Sequence, residues 1–227
     1  MSPSDAVRDL RRATFFAVAE EAALRGLAER SFPRRLRDGQ ILFTEGEPSE
    51  HLFVVRAGRI RIVARSPRGD ELVLSVLGPG EVLGELSVID QGPRSATAEA
   101  LGDVELLAVA AADVRTLLEA QPALLLAAAA ELAGTVRRLT GSAADLVFLD
   151  LPRRLAKLLI GEASPGPDGV LLVDPGMSQS GLAARLGVTR QTLNRALSGL
   201  ARRGWVETQG PGFVLRDPDA LRRFADC

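Results

Sequence analysis

Residues 177–207, MSQSGLAARLGVTRQTLNRALSGLARRGWVE, hold two short helical patterns separated by a tight turn. Apolar side chains recur at helical spacing in both patterns, and Gly187 interrupts them. The first helix is predicted over Ser178–Leu186, and the second over Thr189–Arg203 with its first residue as the N-cap. The next segment, 205–216, is WVETQGPGFVLR and has the pattern of a hairpin. This order predicts a winged helix-turn-helix.

The second helix carries polar side chains of the types that bind DNA on the side opposite its apolar face. Arginine pairs with guanine, and glutamine or asparagine pairs with adenine, while hydroxyls and helix N-terminal amides hold phosphates. Residues 178–206 contain five arginines and no acidic residue. The predicted base readers are Arg190, Gln191, Asn194 and Arg195, and the predicted phosphate contacts are Ser178, Thr189 and Thr192. A winged helix used for protein contacts is the alternative interpretation.

The region upstream, residues 38–110, consists of short, partly alternating apolar runs separated by glycines. Regular spacing of this kind predicts an antiparallel sandwich or roll and not βαβ units. Helical periodicity over Thr14–Arg30 predicts a helix that packs outside the roll.

A long helical pattern begins at Asp113 and continues, after a break at Pro122, to about Phe148. A helix that runs about 36 Å beyond the break, at about 1.5 Å per residue, outreaches a domain of this size. We therefore prefer a parallel two-helix dimer interface to packing on the chain's own domain. The apolar seam that repeats every three to four residues consists of Leu125, Ala129, Leu132, Val136, Leu139, Ala143 and Leu146. The predicted domains are 1–112, 113–149 and 150–227.

The segment 80–100, GEVLGELSVIDQGPRSATAEA, combines residues that suit a phosphate with one that suits a sugar. Gly84 lets the backbone approach a ligand, and a short helical turn that begins at Glu85 can point amides at an anion. Arg94 can neutralise a phosphate, and Ser95 adds a hydroxyl. A carboxylate beside a phosphate is explained by a hydrogen bond to a ribose hydroxyl. Together these residues predict a cyclic-nucleotide site.

Composition excludes several function classes. The chain has 227 residues, 46% hydrophobic and 25% charged, which is typical of a globular protein. The chain has one histidine, His51, and one cysteine, so it lacks the ligands for a metal, haem or iron-sulfur site. We therefore expect no enzyme activity, including that of a metal-dependent cupin. No apolar run approaches about 20 residues and no secretory signal is evident, so we expect a cytoplasmic protein without a membrane partner.

The net charge of −1 hides an asymmetry between the two ends of the chain. Residues 1–149 carry 17 basic and 21 acidic side chains, a net charge of −4, whereas residues 150–227 carry 11 and 8, a net charge of +3. The two ends are therefore expected to have different partners.

Three segments resemble the cyclic AMP receptor protein and fumarate-nitrate regulator (Crp/Fnr) superfamily. TRQTLNRAL (189–197) is similar to its recognition helix, FLDLPRRLAKLL (148–159) to its hinge and first DNA-domain helix, and segment 80–100 to its phosphate-binding cassette. The resemblance extends from about Phe16 to Arg216. It implies an α+β fold: an N-terminal antiparallel β-roll of the jelly-roll type, a long dimerisation helix and a C-terminal winged helix-turn-helix.

The resemblance also implies roles for residues of the cassette. Arg94 and Ser95 would hold the cyclic phosphate, Glu85 the ribose 2′-hydroxyl, and Gly84 and Leu86 would make backbone contacts. The form PRSA is that of the cyclic AMP receptor protein type, so cyclic AMP is favoured over cyclic GMP.

Two further positions bear on specificity. Base recognition would come from Thr140 or Ser142 on the long helix, and counting from either end of the helix gives a different choice. Gln191 stands where the cyclic AMP receptor protein type has glutamate, so that family's operator half-site is not carried over.

The implied partners are a second copy of the chain, a palindromic operator in double-stranded DNA, and RNA polymerase. The iron-sulfur members need an N-terminal cysteine cluster that this sequence lacks. The alternative function is a regulator of the same fold that binds DNA constitutively or responds to a different effector.

Overall fold

The computed structural model describes residues 2–166, 170–173, 179–210 and 212–226, and these form two compact units. The first unit comprises Met1–Asp70 and Leu74–Val136, and the second comprises Glu71–Val73 and Arg137–Cys227. The three predicted domain ranges stay a prediction.

A six-stranded sheet forms the predicted roll. The strands are β1 (Phe32–Leu36), β2 (Ile41–Phe43), β3 (His51–Arg65), β4 (Glu71–Leu77), β5 (Val82–Leu83) and β6 (Thr97–Ala110). The order of the strands in the sheet is β1-β6-β3-β4, and in addition β2 pairs with β6 and β5 pairs with β3. Strand β6 pairs antiparallel with β1, β2 and β3, and β3 pairs antiparallel with β5.

The two long strands of this sheet bend where their register shifts. The shifts lie between Val55 and Arg59 of β3, opposite residues 101–105 of β6. Gly58 stands at the bend with a φ of 80°, and a Cβ at this position would overlap the backbone carbonyl of Asp103. A glycine is therefore needed here for the strands to bend and for the sheet to curve into a roll.

Alternation along β3 builds a core on each face of the sheet. Phe53 and Val55 lie in the core inside the roll, whereas Leu52 and Val54 lie in the core on the other face. Five helices contribute to this second core. They are α1 (Pro3–Arg12), α2 (Glu21–Arg30), α3 (Glu85–Asp90), α4 (Ala111–Ala120) and the beginning of α5 (Pro122–Phe148).

The prediction of one helical segment over Thr14–Arg30 was wrong in its first part. Thr14–Phe16 forms a 3-10 turn, and α2 begins only at Glu21. Phe15 and Phe16 are buried with their rings 4.9 Å apart, so the turn serves to anchor two aromatic rings in the core. Helix α1, which Ser2 caps through the amide of Asp5, was not predicted.

The long helix α5 begins at Pro122 and ends at Phe148, as predicted. Leu124 and Ala128 are fully buried in the second core. Four of the five large seam residues are exposed, Leu125 by 46%, Val136 by 61%, Leu139 by 49% and Leu146 by 54%, while Leu132 is partly buried. The single chain therefore leaves the predicted seam open to solvent.

The second unit contains a winged helix-turn-helix. The elements are α6 (Leu151–Gly161), β7 (Ala163–Pro165), β8 (Leu171–Val173), α7 (Gln179–Arg185), α8 (Arg190–Arg202), β9 (Val206–Gln209), β10 (Gly212–Leu215) and α9 (Pro218–Asp226). The strands form a sheet of order β7-β8-β10-β9. The helices pack around a core that includes Leu182, Leu193 and Leu200.

The predicted hairpin is confirmed, because β9 and β10 pair antiparallel. Asp150 caps α6 by accepting a hydrogen bond from the Arg153 amide at 3.0 Å. Ala163–Pro165 pairs antiparallel with β8. Helix α9 was not predicted; its Leu221 and Ala225 complete the core.

Candidate functional site

The backbone of the cassette is set by a left-handed glycine. Strand β5 ends at Leu83, Gly84 has a φ of 88°, and the short helix α3 (Glu85–Asp90) follows. A Cβ on Gly84 would overlap Nη1 of Arg94. The glycine is thus needed both for the turn and for the close approach of the arginine.

Arg94 lies inside the roll and is only 5% exposed. Its Nη2 donates a hydrogen bond to the backbone carbonyl of His51 at 2.6 Å, and its guanidinium lies 4.1 Å from the ring centroid of Phe43. Its backbone is fixed at both ends: its amide donates to the Glu47 carbonyl, and its carbonyl accepts from the Gly46 amide, each at 2.9 Å. The side chain is therefore held in place from several directions.

Two donor atoms of this buried cation are unused. Nε and Nη1 of Arg94 are buried and make no hydrogen bond to any described residue. Burial lowers the pKa of Arg94, and the charges of Glu85 and Glu47 oppose that shift. A buried charge with unpaired donors is unfavourable unless an anion completes it. The arrangement is that of a preformed anion site.

Glu85 begins α3 beside this site and is half-buried. Burial raises its pKa, and the charge of Glu131 on α5 raises it further, while Arg94 and backbone amides at residues 84 and 85 lower it. A carboxylate in this position can accept a hydrogen bond from a ligand hydroxyl next to the anion held by Arg94.

The other predicted effector residues lie in different surroundings. Ser95 is exposed next to Arg94, and Leu86 is 41% exposed on α3. Thr140 and Ser142 are exposed on α5 in the second unit. The ligand-binding roles of all these residues stay predictions.

The predicted DNA face follows the N-terminal half of α8. Thr189 caps the helix by accepting the Thr192 amide at 3.2 Å, and the two hydroxyls lie 2.9 Å apart. Arg190, Gln191 and Arg195 are exposed, and Asn194 is half-buried. A shallow groove on this face is lined by Gln191, Asn194, Arg195, Ser198 and Arg202. Ser178 lies outside the described residues.

Three contributors to the effector site were not predicted from the sequence. The His51 carbonyl and the Phe43 ring hold the Arg94 side chain, and Glu131 acts on Glu85. A backbone carbonyl has no sequence signal. Glu131 did have one, because it follows Leu124 and Ala128 at helical spacing and so lies on the buried side of α5.

The described residues contain neither a candidate metal cluster nor a single helix that could span a membrane. No group of three histidine, cysteine, aspartate or glutamate side chains is placed to hold a metal ion in the described ranges. No single described helix is long and apolar enough to cross a membrane; α4 and α5 pass that test only as a pair, bent by 115°.

Comparison with known sequences matches each of two parts of the chain to a known domain family. Residues 33–121 match the family described as cyclic nucleotide-binding domain, and residues 153–224 match the Crp-like helix-turn-helix domain. The chain is 32% identical, over 95% of its length and 98% of the relative's, to a CRP-like cAMP-activated global transcriptional regulator of Mycobacterium tuberculosis. The chain belongs to the Crp/Fnr family of transcription regulators.

Further comparisons support this assignment. The regulator is 35% identical to a cyclic AMP receptor protein of Thermus thermophilus, over 88% of this chain and 91% of that one. Its fold resembles that of the c-di-GMP-responsive regulator CLP of Xanthomonas campestris, with a TM-score of 0.75 and 24% identity over 87% of this chain and all of that one. The regulator therefore joins a cyclic-nucleotide-binding domain to a DNA-binding domain.

Proposed function

We propose that the regulator is a homodimer that binds cyclic AMP in its β-roll and, in the bound state, recognises a palindromic operator. The observation that carries the effector assignment is the buried guanidinium of Arg94 with its unused Nε and Nη1. A cyclic phosphate supplies one negative charge and several acceptor oxygens to such donors. Glu85 then accepts the ribose 2′-hydroxyl, Ser95 adds a hydroxyl to the phosphate, and Thr140 or Ser142 contacts the base.

Cyclic AMP is the preferred effector for two reasons. The segment Pro93–Ala96 is PRSA, the form of the cyclic AMP receptor protein type. The M. tuberculosis relative is named as cAMP-activated, and the T. thermophilus relative as a cyclic AMP receptor protein. Cyclic GMP is the weaker candidate, and we assign no metal, haem or iron-sulfur cofactor and no catalytic activity.

Dimerisation is supported by the exposed seam of α5. Four large apolar side chains stand at heptad spacing on a 27-residue helix and are each about half exposed or more. A second copy of the helix would cover them. In a twofold dimer, two α8 helices fit successive major grooves about 34 Å apart, which requires a palindromic operator.

The effector acts through its preference for one state of the dimer. A ligand shifts an equilibrium only by the difference in its affinity for the two states. Cyclic AMP therefore has to bind more tightly to the state in which both α8 helices fit DNA. A regulator of this kind acts where the chromosome is, in the cytoplasm, and contacts RNA polymerase from the operator.

A second candidate keeps the DNA target and changes the effector. The fold is similar to that of the c-di-GMP-responsive regulator CLP of Xanthomonas campestris, so the same architecture serves a regulator with a different ligand. The buried arginine would then hold a different anion. Constitutive DNA binding is the limiting case, in which no effector is required.

Calorimetric titration of the purified regulator with cyclic AMP and, in parallel, cyclic GMP tests the proposal. We expect saturable binding of cyclic AMP near one per chain and weaker binding of cyclic GMP. Operator selection from random DNA, with and without the nucleotide, then tests gating. Sites selected equally well without nucleotide would support constitutive binding, and no binding of either nucleotide would refute the effector assignment.

The dimer is tested separately by sedimentation equilibrium. Leu139→Glu places a charge in the seam, and we expect it to shift the regulator to monomers. The matched control is Glu119→Leu on α4, which changes an exposed residue outside the seam. A variant that stays dimeric would contradict the seam as the interface.

A further inference from the structure

Two residues join the long helix to the DNA-binding elements. Helix α5 ends at Phe148 and α6 begins at Leu151, so the connection consists of Leu149 and Asp150. Asp150 also caps α6, because its side chain accepts a hydrogen bond from the Arg153 amide. Each residue has only two soft backbone angles. A few angles therefore set the orientation of α6 relative to the end of α5.

Helix α6 is fixed to the helix-turn-helix that follows it. Its Leu155 is fully buried in the core that α6 shares with α7 and α8. Nη1 of Arg154 donates a hydrogen bond at 3.2 Å to the carbonyl of Leu186, which directly follows α7. Near the other end of α6, Glu162 forms an ion pair with Arg185 of α7 at 2.5 Å. A change in the orientation of α6 therefore changes the position of α8.

One ion pair connects α6 back to α5 within the second unit. Nζ of Lys157, the only lysine of the chain, donates a hydrogen bond to Oδ1 of Asp145 at 2.7 Å. The aspartate side chain is 25% exposed and the lysine side chain 53% exposed, so water screens the pair only in part. Asp145 directly precedes Leu146, the last residue of the predicted seam. The pair thus joins the DNA-binding elements to the part of α5 that carries the seam.

We propose that Lys157 is a positioning residue for DNA binding: its ion pair with Asp145 holds the junction of α5 and α6 and thereby sets the spacing of the two α8 helices in the dimer. This inference rests on the proposed function, because it requires a dimer and a palindromic operator. Two α8 helices fit successive major grooves only at a separation of about 34 Å. A junction that is already fixed loses less conformational entropy when both helices bind than a loose one does. The pair therefore favours binding to an operator with the correct spacing.

A positioning role differs from a direct effect of these charges on DNA. If the charges acted directly on DNA phosphates, loss of the lysine charge would weaken DNA binding and loss of the aspartate charge would strengthen it. If the pair acts by holding the junction, both losses weaken binding to the operator. Lys157→Gln and Asp145→Asn therefore distinguish the two roles by the sign of their effects.

The expected size follows from the exposure of the pair. A pair of this kind changes an equilibrium constant by about two- to threefold. The dimer contains two such pairs far apart, so their effects multiply to about four- to ninefold. A single half-site is contacted by one α8 helix, and its affinity does not depend on the spacing. Inserting one base pair between the half-sites moves them apart by about 3.4 Å and rotates one by about 35°, which a loose junction follows more easily.

The test measures fluorescence anisotropy of the cyclic AMP-bound regulator with three DNAs: an operator selected from random DNA, the same operator with one base pair inserted between its half-sites, and a single half-site. For Lys157→Gln and for Asp145→Asn we expect affinity for the operator to fall about four- to ninefold, with half-site affinity unchanged and a smaller loss on insertion than in the parent. The exchanged variant, Asp145→Lys with Lys157→Asp, should recover most of the operator affinity. Asp219→Asn, which breaks an exposed ion pair with Arg222 on α9, should behave as the parent. Thermal unfolding checks that each variant is folded.

The outcomes separate this inference from the proposed function. Effects of opposite sign in the two single variants would show a direct action of the charges on DNA and overturn the inference. Operator affinity and spacing preference equal to those of the parent in both variants would also overturn it, and the dimer and its palindromic operator would stand. A parent regulator that binds the operator, the spaced operator and the half-site equally well would refute the proposed twofold recognition and this inference together.

Discussion

Two arginines with proposed binding roles have opposite surroundings in the two units of the chain. Arg94 is 5% exposed, packs on a phenylalanine ring and keeps two donors unused, whereas Arg195 on α8 is exposed to solvent. Each exposed arginine that neutralises a DNA phosphate releases counterions from the DNA, so DNA affinity is built from many such contacts and falls steeply with salt. A buried one has already lost its hydration, so a single anion makes a large difference.

This difference in burial leads to different expectations for the two binding sites. Effector binding should depend strongly on one arginine and weakly on ionic strength, because buried pairs are screened less. DNA binding should depend on several arginines and strongly on ionic strength.

Arg94→Ala should lower cyclic AMP affinity by at least about a hundredfold, because it removes the charge and the fixed donors of the anion site. Arg68→Ala, which removes an exposed arginine from the same unit, should leave affinity unchanged. Calorimetry measures both, and nonspecific DNA affinity should survive in both. Nucleotide affinity within threefold of the parent in Arg94→Ala would defeat the site assignment.

Gly84→Ala should weaken cyclic AMP binding by roughly tenfold or more and destabilise the protein by about 1–2 kcal/mol. Its Cβ overlaps Nη1 of Arg94, and its φ of 88° is strained for alanine. Gly69→Ala is a matched control, because Gly69 has a φ of 86° and open space around it. Chemical denaturation should show similar destabilisation in both variants. Equal losses of nucleotide affinity would show that backbone strain alone explains the effect.

Arg195→Ala should reduce operator affinity by about 1–3 kcal/mol and relax base preference at one operator position, if its contact is to a base edge. A phosphate contact would instead lower the salt slope by about one and weaken all sequences equally. Fluorescence anisotropy over a salt series distinguishes these results. Arg222→Ala on α9, which breaks an exposed ion pair with Asp219, is the control and should change neither quantity.

Thr189→Ala should destabilise the second unit by about 1 kcal/mol, because α8 loses its N-cap hydrogen bond to the Thr192 amide. Thr189→Ser keeps the oxygen and should recover most of the loss. Thermal unfolding reports the stability of each variant. Alanine and serine variants of equal stability would show that the cap does not contribute.

Much of the fold was accessible from the sequence because its signals are local. The glycine-punctuated strands, the proline before α5 and the threonine cap of α8 each act within a few residues. The terminal helices also have local signals. Helix α1 has a serine N-cap, and α9 has apolar residues four positions apart, Leu221 and Ala225, so both helices could have been predicted from the sequence.

The effector site was accessible only in part. The cassette order predicted Gly84, Glu85 and Arg94, but the groups that hold the arginine side chain lie 43 and 51 residues before it, at His51 and Phe43. Those contacts depend on how the roll curves, which no short-range spacing encodes. Glu131 was not predicted, because the prediction for α5 rested on the apolar seam of its exposed side and Glu131 follows Leu124 and Ala128 on its buried side.

The exposed seam of α5 has a consequence for inheritance. In the proposed dimer, a chain that keeps the seam and loses its recognition helix would still pair with intact chains. In a cell that makes both chains in equal amounts, random pairing leaves only a minority of dimers with two intact recognition helices. Such an allele should be dominant over the intact gene, whereas an allele with a charged seam should be recessive.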